Sequence, residues 1–137
     1  MNYWDASALV PLVVKERSTK AYITIAKGTE IVTWWGSYLE CTAAIARLAR
    51  HGSAPPQVAQ SYRMLDELAG RWREVEQSEP LRRAATRMLR THTLRTGDAL
   101  QLGAALVASG FAPHTVRFLT EDKRLRTAAE REGFPVA

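Results

Sequence analysis

Met1-Asn2-Tyr3-Trp4-Asp5-Ala6-Ser7-Ala8-Leu9-Val10 opens the chain with a short run holding two aromatics, then an acid, then a serine ahead of an apolar stretch. The change of pattern predicts a strand running straight into a helix, with Asp5 at the junction. In open parallel sheets, ligands bind in the crevice beyond the carboxyl ends of the strands, so Asp5 stands where chemistry collects. The question for the rest of the sequence is what else arrives at that edge.

Outward from there, Ser7 can cap a helix in which Pro11 is tolerable near the first turn, and a second helical stretch runs past Lys20 toward Lys27-Gly28. Glu30-Ile31-Val32-Thr33-Trp34 reads as a strand, broken by Gly36-Ser37. A long helix follows from Ser37 to Arg50-His51-Gly52, with Pro55 and Pro56 as stop signals. Val58, Tyr62, Leu65 and Leu68 suit a further helix closed by Gly70, and Trp72-Arg73-Glu74-Val75 a short strand. Ser78-Glu79-Pro80 starts a helix that sets Leu81, Ala84, Ala85, Met88 and Leu89 on one face and Arg82, Arg83, Arg87 and Arg90 elsewhere. Thr96-Gly97-Asp98 opens a helix apolar nearly all round, as buried helices are, which Gly110 closes. Val116–Thr120 reads as a strand, Glu121-Asp122 opens a last helix through Arg131, and Pro135 makes Phe134-Pro135-Val136 an edge strand at best. The alternation predicts one α/β domain over residues 1–137, built on a parallel sheet.

Composition narrows the classes. A chain of 137 residues suffices for one core, no apolar run approaches the ~20 residues of a membrane span, and the first residues lack the basic start of a signal peptide. A cytoplasmic protein is expected. Cys41, the only cysteine, allows no internal disulfide and reads as a small buried residue. Net charge is +5 and fifteen of the nineteen basic residues are arginine, the side chain that best forks onto phosphate, which leans toward a polyanionic partner.

Four acids share one local setting: Asp5 after the first strand, Glu40 in the first turn after the second, Asp98 at the start of the buried helix, and Asp122 after the late strand. Each alone has an ordinary explanation. Ser37 with Glu40 is a capping box, Asp98 and Asp122 complement helix dipoles, and Asp5 is a turn residue. Together they say more, because parallel strands deliver the starts of their following helices to one edge of the sheet. Two carboxylates about 4 Å apart repel by roughly 4 kcal/mol at an effective dielectric of about 20, so a cluster calls for a cation. An all-oxygen site suits Mg²⁺ or Mn²⁺, whereas His51, His92 and His114 form no zinc pattern. Carboxylate-held Mg²⁺ beside arginine-rich helices points to phosphodiester chemistry with water as nucleophile, in keeping with the lack of a P-loop, a nucleophile elbow or a Cys/His pair.

These residues resemble the PIN-domain ribonucleases, and within them the VapC-type toxins of toxin-antitoxin pairs. Tyr3–Val10 is similar to the family's first motif, and Trp34–Glu40 with Ala43–Arg47 to its second. Leu94–Leu102 is similar to the third and Phe118–Leu125 to the fourth, so the resemblance spans nearly the whole chain. It implies a PIN-like fold, a central parallel sheet of about four to five short strands flanked by helices. It places the acidic metal site on Asp5, Glu40, Asp98 and Asp122, with Ser7 and Thr120 as supporting polar residues whose other reading is helix capping. Where the third motif often carries His, this chain has Gln101, a change expected to bear on local packing more than on metal binding. Glu121 adds a neighbouring carboxylate that could share the site.

The resemblance further implies a metal-dependent endoribonuclease that cuts single-stranded or loop RNA in line, leaving 5′-phosphate and 3′-hydroxyl ends. It implies a homodimer and a cognate antitoxin protein that covers the cleft. Arg95 and Arg124 are the candidates for gripping substrate phosphate, with plain surface charge or a salt bridge to the acids as the competing roles. Trp35 could stack a base, although core or interface is the commoner use of such a residue. A phosphorelay receiver would need adjacent acids near the first strand, and a haloacid-dehalogenase-type phosphatase a second Asp where Ser7 stands. The stronger rival is a catalytically silent PIN-like module that binds RNA or a protein partner.

Overall fold

A computed structural model describes all residues from Met1 to Ala137. Four short strands, β1 (Asn2–Trp4), β2 (Ile31–Trp34), β3 (Arg73–Val75) and β4 (Arg117–Leu119), form one parallel sheet in the order β3-β2-β1-β4. Seven α-helices connect and cover them: α1 (Ala6–Leu9), α2 (Thr19–Ala26), α3 (Ser37–Arg50), α4 (Pro55–Ala69), α5 (Glu79–Thr91), α6 (Thr96–Ala108) and α7 (Lys123–Arg131). No helix is long and apolar enough to cross a membrane.

The strand order decides where a site can lie. From β1 the chain moves outward through β2 to β3, then returns across the sheet to place β4 on the other side of β1. The direction of winding therefore reverses at β1, and the crevice opens between the ends of β1 and β4. Register fixes that mouth: Tyr3 pairs with Phe118 and Trp4 with Leu119, and the Asp5 amide donates to the Leu119 carbonyl at 3.0 Å. The C-terminal Val136 bridges Phe118 in parallel, the edge contribution expected of a segment holding Pro135.

Alternation along three-residue strands sends neighbouring side chains to opposite faces. Tyr3 and Phe118, with ring centroids 5.3 Å apart, join α5, α6 and α7 in one core, while Trp4 and Leu119 join α1, α3 and α4 in the other. The sheet is thus the middle of three layers. Helix α6 is the buried one, with Ala99, Gln101, Leu102, Gly103, Ala104, Ala105 and Leu106 all inaccessible. Gly103 allows that burial, since a Cβ there would lie 2.9 Å from the Ala85 backbone nitrogen of α5.

Local readings failed where a side chain had a tertiary partner to choose. Gly36, not Ser37, precedes the first turn of α3, and Ser37 and Glu40 make no capping box because both turn inward to other partners. Ser7 lies inside α1 instead of capping it; Asp5 occupies the cap position. Leu89, expected on the apolar face of α5, is exposed, as helical rotation carries it past the α6 contact. Ser78 does cap α5, accepting from the Leu81 amide at 3.2 Å, and Cys41 is buried as a free thiol.

Candidate active site

Asp5 is 4 % exposed and has two hydroxyl donors on one oxygen: Ser7 Oγ at 2.6 Å and Thr120 Oγ1 at 2.8 Å from Oδ2. The two hydroxyls lie 3.1 Å apart, joining the end of β1 to the end of β4. Ser7 also accepts from the Glu121 amide at 2.8 Å, and Thr120 from the Asp122 amide at 3.0 Å. Each hydroxyl therefore spends its proton on Asp5 and its lone pair on the β4–α7 turn. This overturns the capping alternative for both residues. Asp122 is the true cap of α7, its Oδ1 accepting from the Leu125 amide at 3.0 Å. Glu121 contributes only its amide here; its carboxylate is exposed and raises the pKa values of Glu16 and Tyr22.

Glu40 belongs to a second network. Its Oε1 accepts from Gln101 Nε2 at 3.2 Å, and the same nitrogen lies 2.9 Å from Ser37 Oγ. Tyr3, wholly buried, donates its hydroxyl to Gln101 Oε1 at 2.7 Å. Ser37 and Thr33 are linked at 2.5 Å, and Thr33 donates to the Trp4 carbonyl at 2.7 Å, immediately before Asp5. Gln101, expected to bear on local packing more than on metal binding, is buried in the core and also touches the Glu40 carboxylate with its amide. Sequence reasoning also missed Tyr3, Thr33 and Ser37. The available signal was the burial of α6 itself, because a lone amide on an all-apolar helix demands polar partners.

The four acids are electrostatically one group. Burial pushes the Asp5 carboxyl up, opposed by the Ser7 and Thr120 hydrogen bonds and reinforced by Asp98. Burial first, then the charge of Asp5, pushes Glu40 up to about 7, with Asp98 adding to the rise. Glu40 is exposed as a residue, opening onto solvent, while its carboxylate end is the part held against Gln101. Asp98 is raised by burial and by Asp122, with Arg95 and Arg124 pulling the other way. None of the four acids takes part in an ion pair. Of the competing roles for Arg95 and Arg124, a salt bridge to the acids is therefore not realised, and both side chains are exposed.

Arg95, Asp98, Asp122 and Arg124 instead line a cleft of about 350 Å³ together with Thr93 and Lys123, an all-polar wall without a hydrophobic residue. Asp5 and Glu40 lie beyond this cleft's own lining. Trp35 is 46 % exposed, so it is no core residue. His92 is structural: its Nε2 sits 2.7 Å from Glu132.

An all-oxygen, like-charged donor set in which Asp5, Glu40 and Asp98 are each raised by burial and by a neighbouring carboxylate has the chemistry that a hard divalent cation satisfies. The residues fit such an ion by type and field, though no group of three or more His, Cys, Asp or Glu side chains is already drawn to metal-holding distance.

Comparison with known proteins shows the family and the fold. A scan against protein-family models finds none that matches the chain. Among curated proteins, Ribonuclease VapC45 and Ribonuclease VapC49 of two Mycobacterium tuberculosis strains are each 31 % identical over 137 residues, covering 98 % of this chain and 93 % of the relative. Among solved structures, PAE2754 from Pyrobaculum aerophilum superposes with a TM-score of 0.65 at 22 % identity, over 93 % of this chain and 84 % of its own. A toxin-antitoxin complex from Klebsiella pneumoniae gives 0.66 at 14 % identity, over 100 % and 96 %. The two structures show the shared PIN-like fold, and the two curated relatives show the family. The chain belongs to the VapC ribonuclease family.

Proposed function

We propose that the chain is a single-domain, divalent-metal-dependent endoribonuclease, the toxin of a type II toxin-antitoxin pair acting in the cytoplasm as a homodimer. The observation that carries the reading is the unpaired acidic group at the winding reversal of the sheet: Asp5, Glu40 and Asp98 are raised by burial and by neighbouring carboxylates, Asp122 lines the same cleft as Asp98, and none of the four is ion-paired to a protein cation. Family membership supplies the reaction, since the two curated relatives are named ribonucleases.

Asp5, Glu40, Asp98 and Asp122 would hold Mg²⁺ or Mn²⁺. When bound, such an ion neutralises charge at the phosphate and makes water a competent nucleophile. The protein's own part is positional. Ser7 and Thr120 fix Asp5 through both hydroxyl protons, and the β4–α7 turn fixes the hydroxyls. Arg95, Lys123 and Arg124, exposed around the cleft beside Asp98 and Asp122, are placed to receive phosphate oxygens of single-stranded or loop RNA. A cognate antitoxin is the expected partner, consistent with the toxin-antitoxin complex among the structural neighbours.

Cleavage of a mixed RNA pool by the purified protein, with Mg²⁺ or Mn²⁺, with EDTA, and as Asp5→Asn and Asp98→Asn, tests this reading. Cutting that needs metal and is lost in both folded variants supports it. A folded, partner-free protein that cuts nothing under either metal yet binds RNA would make the chain a silent binding module.

A further inference from the structure

The geometry points to Gln101 as the residue that positions the Glu40 carboxylate, with Tyr3 locking the amide in the orientation that does so. The inference rests on Glu40 belonging to the proposed nuclease site. It adds an element that the four-carboxylate pattern does not contain, a neutral clamp reaching Glu40 from the far side of the core.

The clamp follows from donor counting. Thr33 spends its proton on the Trp4 carbonyl, so Ser37 must donate to Thr33 and can only accept from Gln101, which puts the Gln101 NH₂ and not its carbonyl against Ser37 Oγ and Glu40 Oε1. The carbonyl then faces the Tyr3 hydroxyl, which donates to it at 2.7 Å inside a wholly buried pocket. The second amide hydrogen goes to Ser37 Oγ at 2.9 Å. Ser37 then donates to Thr33, and Thr33 to the Trp4 carbonyl at 2.7 Å. Every proton in the chain runs in one direction, so flipping the amide would set its carbonyl against Ser37 Oγ and Glu40 Oε1 and lose both of those bonds. Trp34 closes the other side: its indole N–H is buried without a partner in good geometry and favours the charged form of Glu40. Gly36 makes room for that indole, because a Cβ at Gly36 would overlap the Trp34 ring.

The clamp has a physical task. Glu40 is a flexible side chain beside the like charges of Asp5 and Asp98, and left alone it gains both rotamer freedom and electrostatic relief by swinging into solvent. A neutral amide holds it without cancelling its charge. A cationic donor would also hold it, but would compete with the metal for the same carboxylate. Glutamine gives the grip while keeping the negative charge available.

The test uses the full chain and two readouts besides cleavage: Mn²⁺ affinity, and the side-chain amide resonances of Gln101. Gln101→Leu is expected to weaken Mn²⁺ binding and cleavage roughly 10- to 100-fold, the usual cost of removing an outer hydrogen-bond partner of a metal ligand. Gln101→His, which keeps a ring N–H, should recover part of that loss. Tyr3→Phe should weaken binding in the native background and add nothing in the Gln101→Leu background, since its effect passes through the amide. In metal-free protein the Gln101 amide protons should be protected from exchange, and should shift in Glu40→Gln and lose protection in Tyr3→Phe.

Native Mn²⁺ affinity and cleavage in folded Gln101→Leu would overturn the inference, as would Gln101 amide resonances indifferent to Glu40→Gln. That NMR comparison needs no substitution at Gln101, so it decides even if Gln101→Leu fails to fold. A wild-type protein that binds no Mn²⁺ and cuts no RNA, but whose Gln101 amide responds to Glu40→Gln, would sink the nuclease reading and leave the clamp standing.

Discussion

Two charged clusters sit in this molecule and treat their carboxylates oppositely. At the ends of α5 and α7, Glu132 accepts from Arg87 Nη2 at 2.9 Å and lies 2.7 Å from His92 Nε2. Burial pushes the Glu132 carboxyl up, yet the bonds and charges of Arg87 and His92 outweigh burial and leave it below its ordinary value. At the β1–β4 mouth, Asp5, Glu40 and Asp98 are all raised; the side chains bonded to Asp5 and Glu40 are neutral, Ser7, Thr120 and Gln101, and the Arg95 and Arg124 charges near Asp98 only partly offset its rise. The first cluster carries its own cation, Arg87, and is a staple between helices. The second orients its charge with little cancellation, which costs stability and, on the proposed reading, leaves the charge for a ligand that brings a positive one.

The contrast breaks most visibly in activity. Asp5→Asn should lower metal-dependent RNA cleavage by more than the roughly 100-fold that an outer hydrogen-bond partner costs, with an unchanged or raised melting temperature in EDTA, because it removes a buried charge that has no cation. Glu132→Gln should do the reverse. Cleavage by the folded protein stays native, while stability measured by urea unfolding drops by about 1–3 kcal/mol through weakened bonds to Arg87 and His92.

The pH dependence sharpens the same division. Because Glu40 titrates at about 7 in the folded chain, above its ordinary range, its contribution to stability is full in acid and is lost as pH rises through 7. Glu40→Gln should therefore melt higher than the native protein at pH 8 in EDTA, and the two should converge below the ordinary glutamate value. Glu132 has the opposite sign: its contribution is present above its ordinary value and fades as pH falls through the lowered one, so the Glu132→Gln difference should shrink in acid. The smallest effect belongs to the cleft arginines. Arg95→Ala and Arg124→Ala should each weaken RNA binding and flatten the salt dependence by roughly 0.7 in the log–log slope, the share of one phosphate contact on a single strand.

What the sequence disclosed was mostly what repeats locally. Helix stops at Gly52 and Gly70, the Ser78 cap and the all-apolar α6 could be read because backbone chemistry and periodicity announce them. The four acids could be read because each begins a helix after a strand or opens the buried one. Harder were the polar residues whose partners lie across the sheet. The family resemblance sets Ser7 and Thr120, 113 residues apart, beside the acids against an equally plausible capping use, whereas nothing local pairs Tyr3 with Gln101, 98 residues away. Ser37 shows the reason plainly: the capping box was available, but a buried hydroxyl beside Thr33 and Gln101 has stronger demands than an exposed helix end.

The central claim is that the carboxylates at the β1–β4 mouth form one cation site. Mn²⁺ titration of the purified protein, followed by the loss of the free-ion electron paramagnetic resonance signal, tests it most directly, with Asp5→Asn and Glu132→Gln run alongside. Saturable binding that is abolished in Asp5→Asn and untouched in Glu132→Gln is the predicted result. Binding that survives Asp5→Asn in a folded protein, or no saturable binding at all, would contradict it.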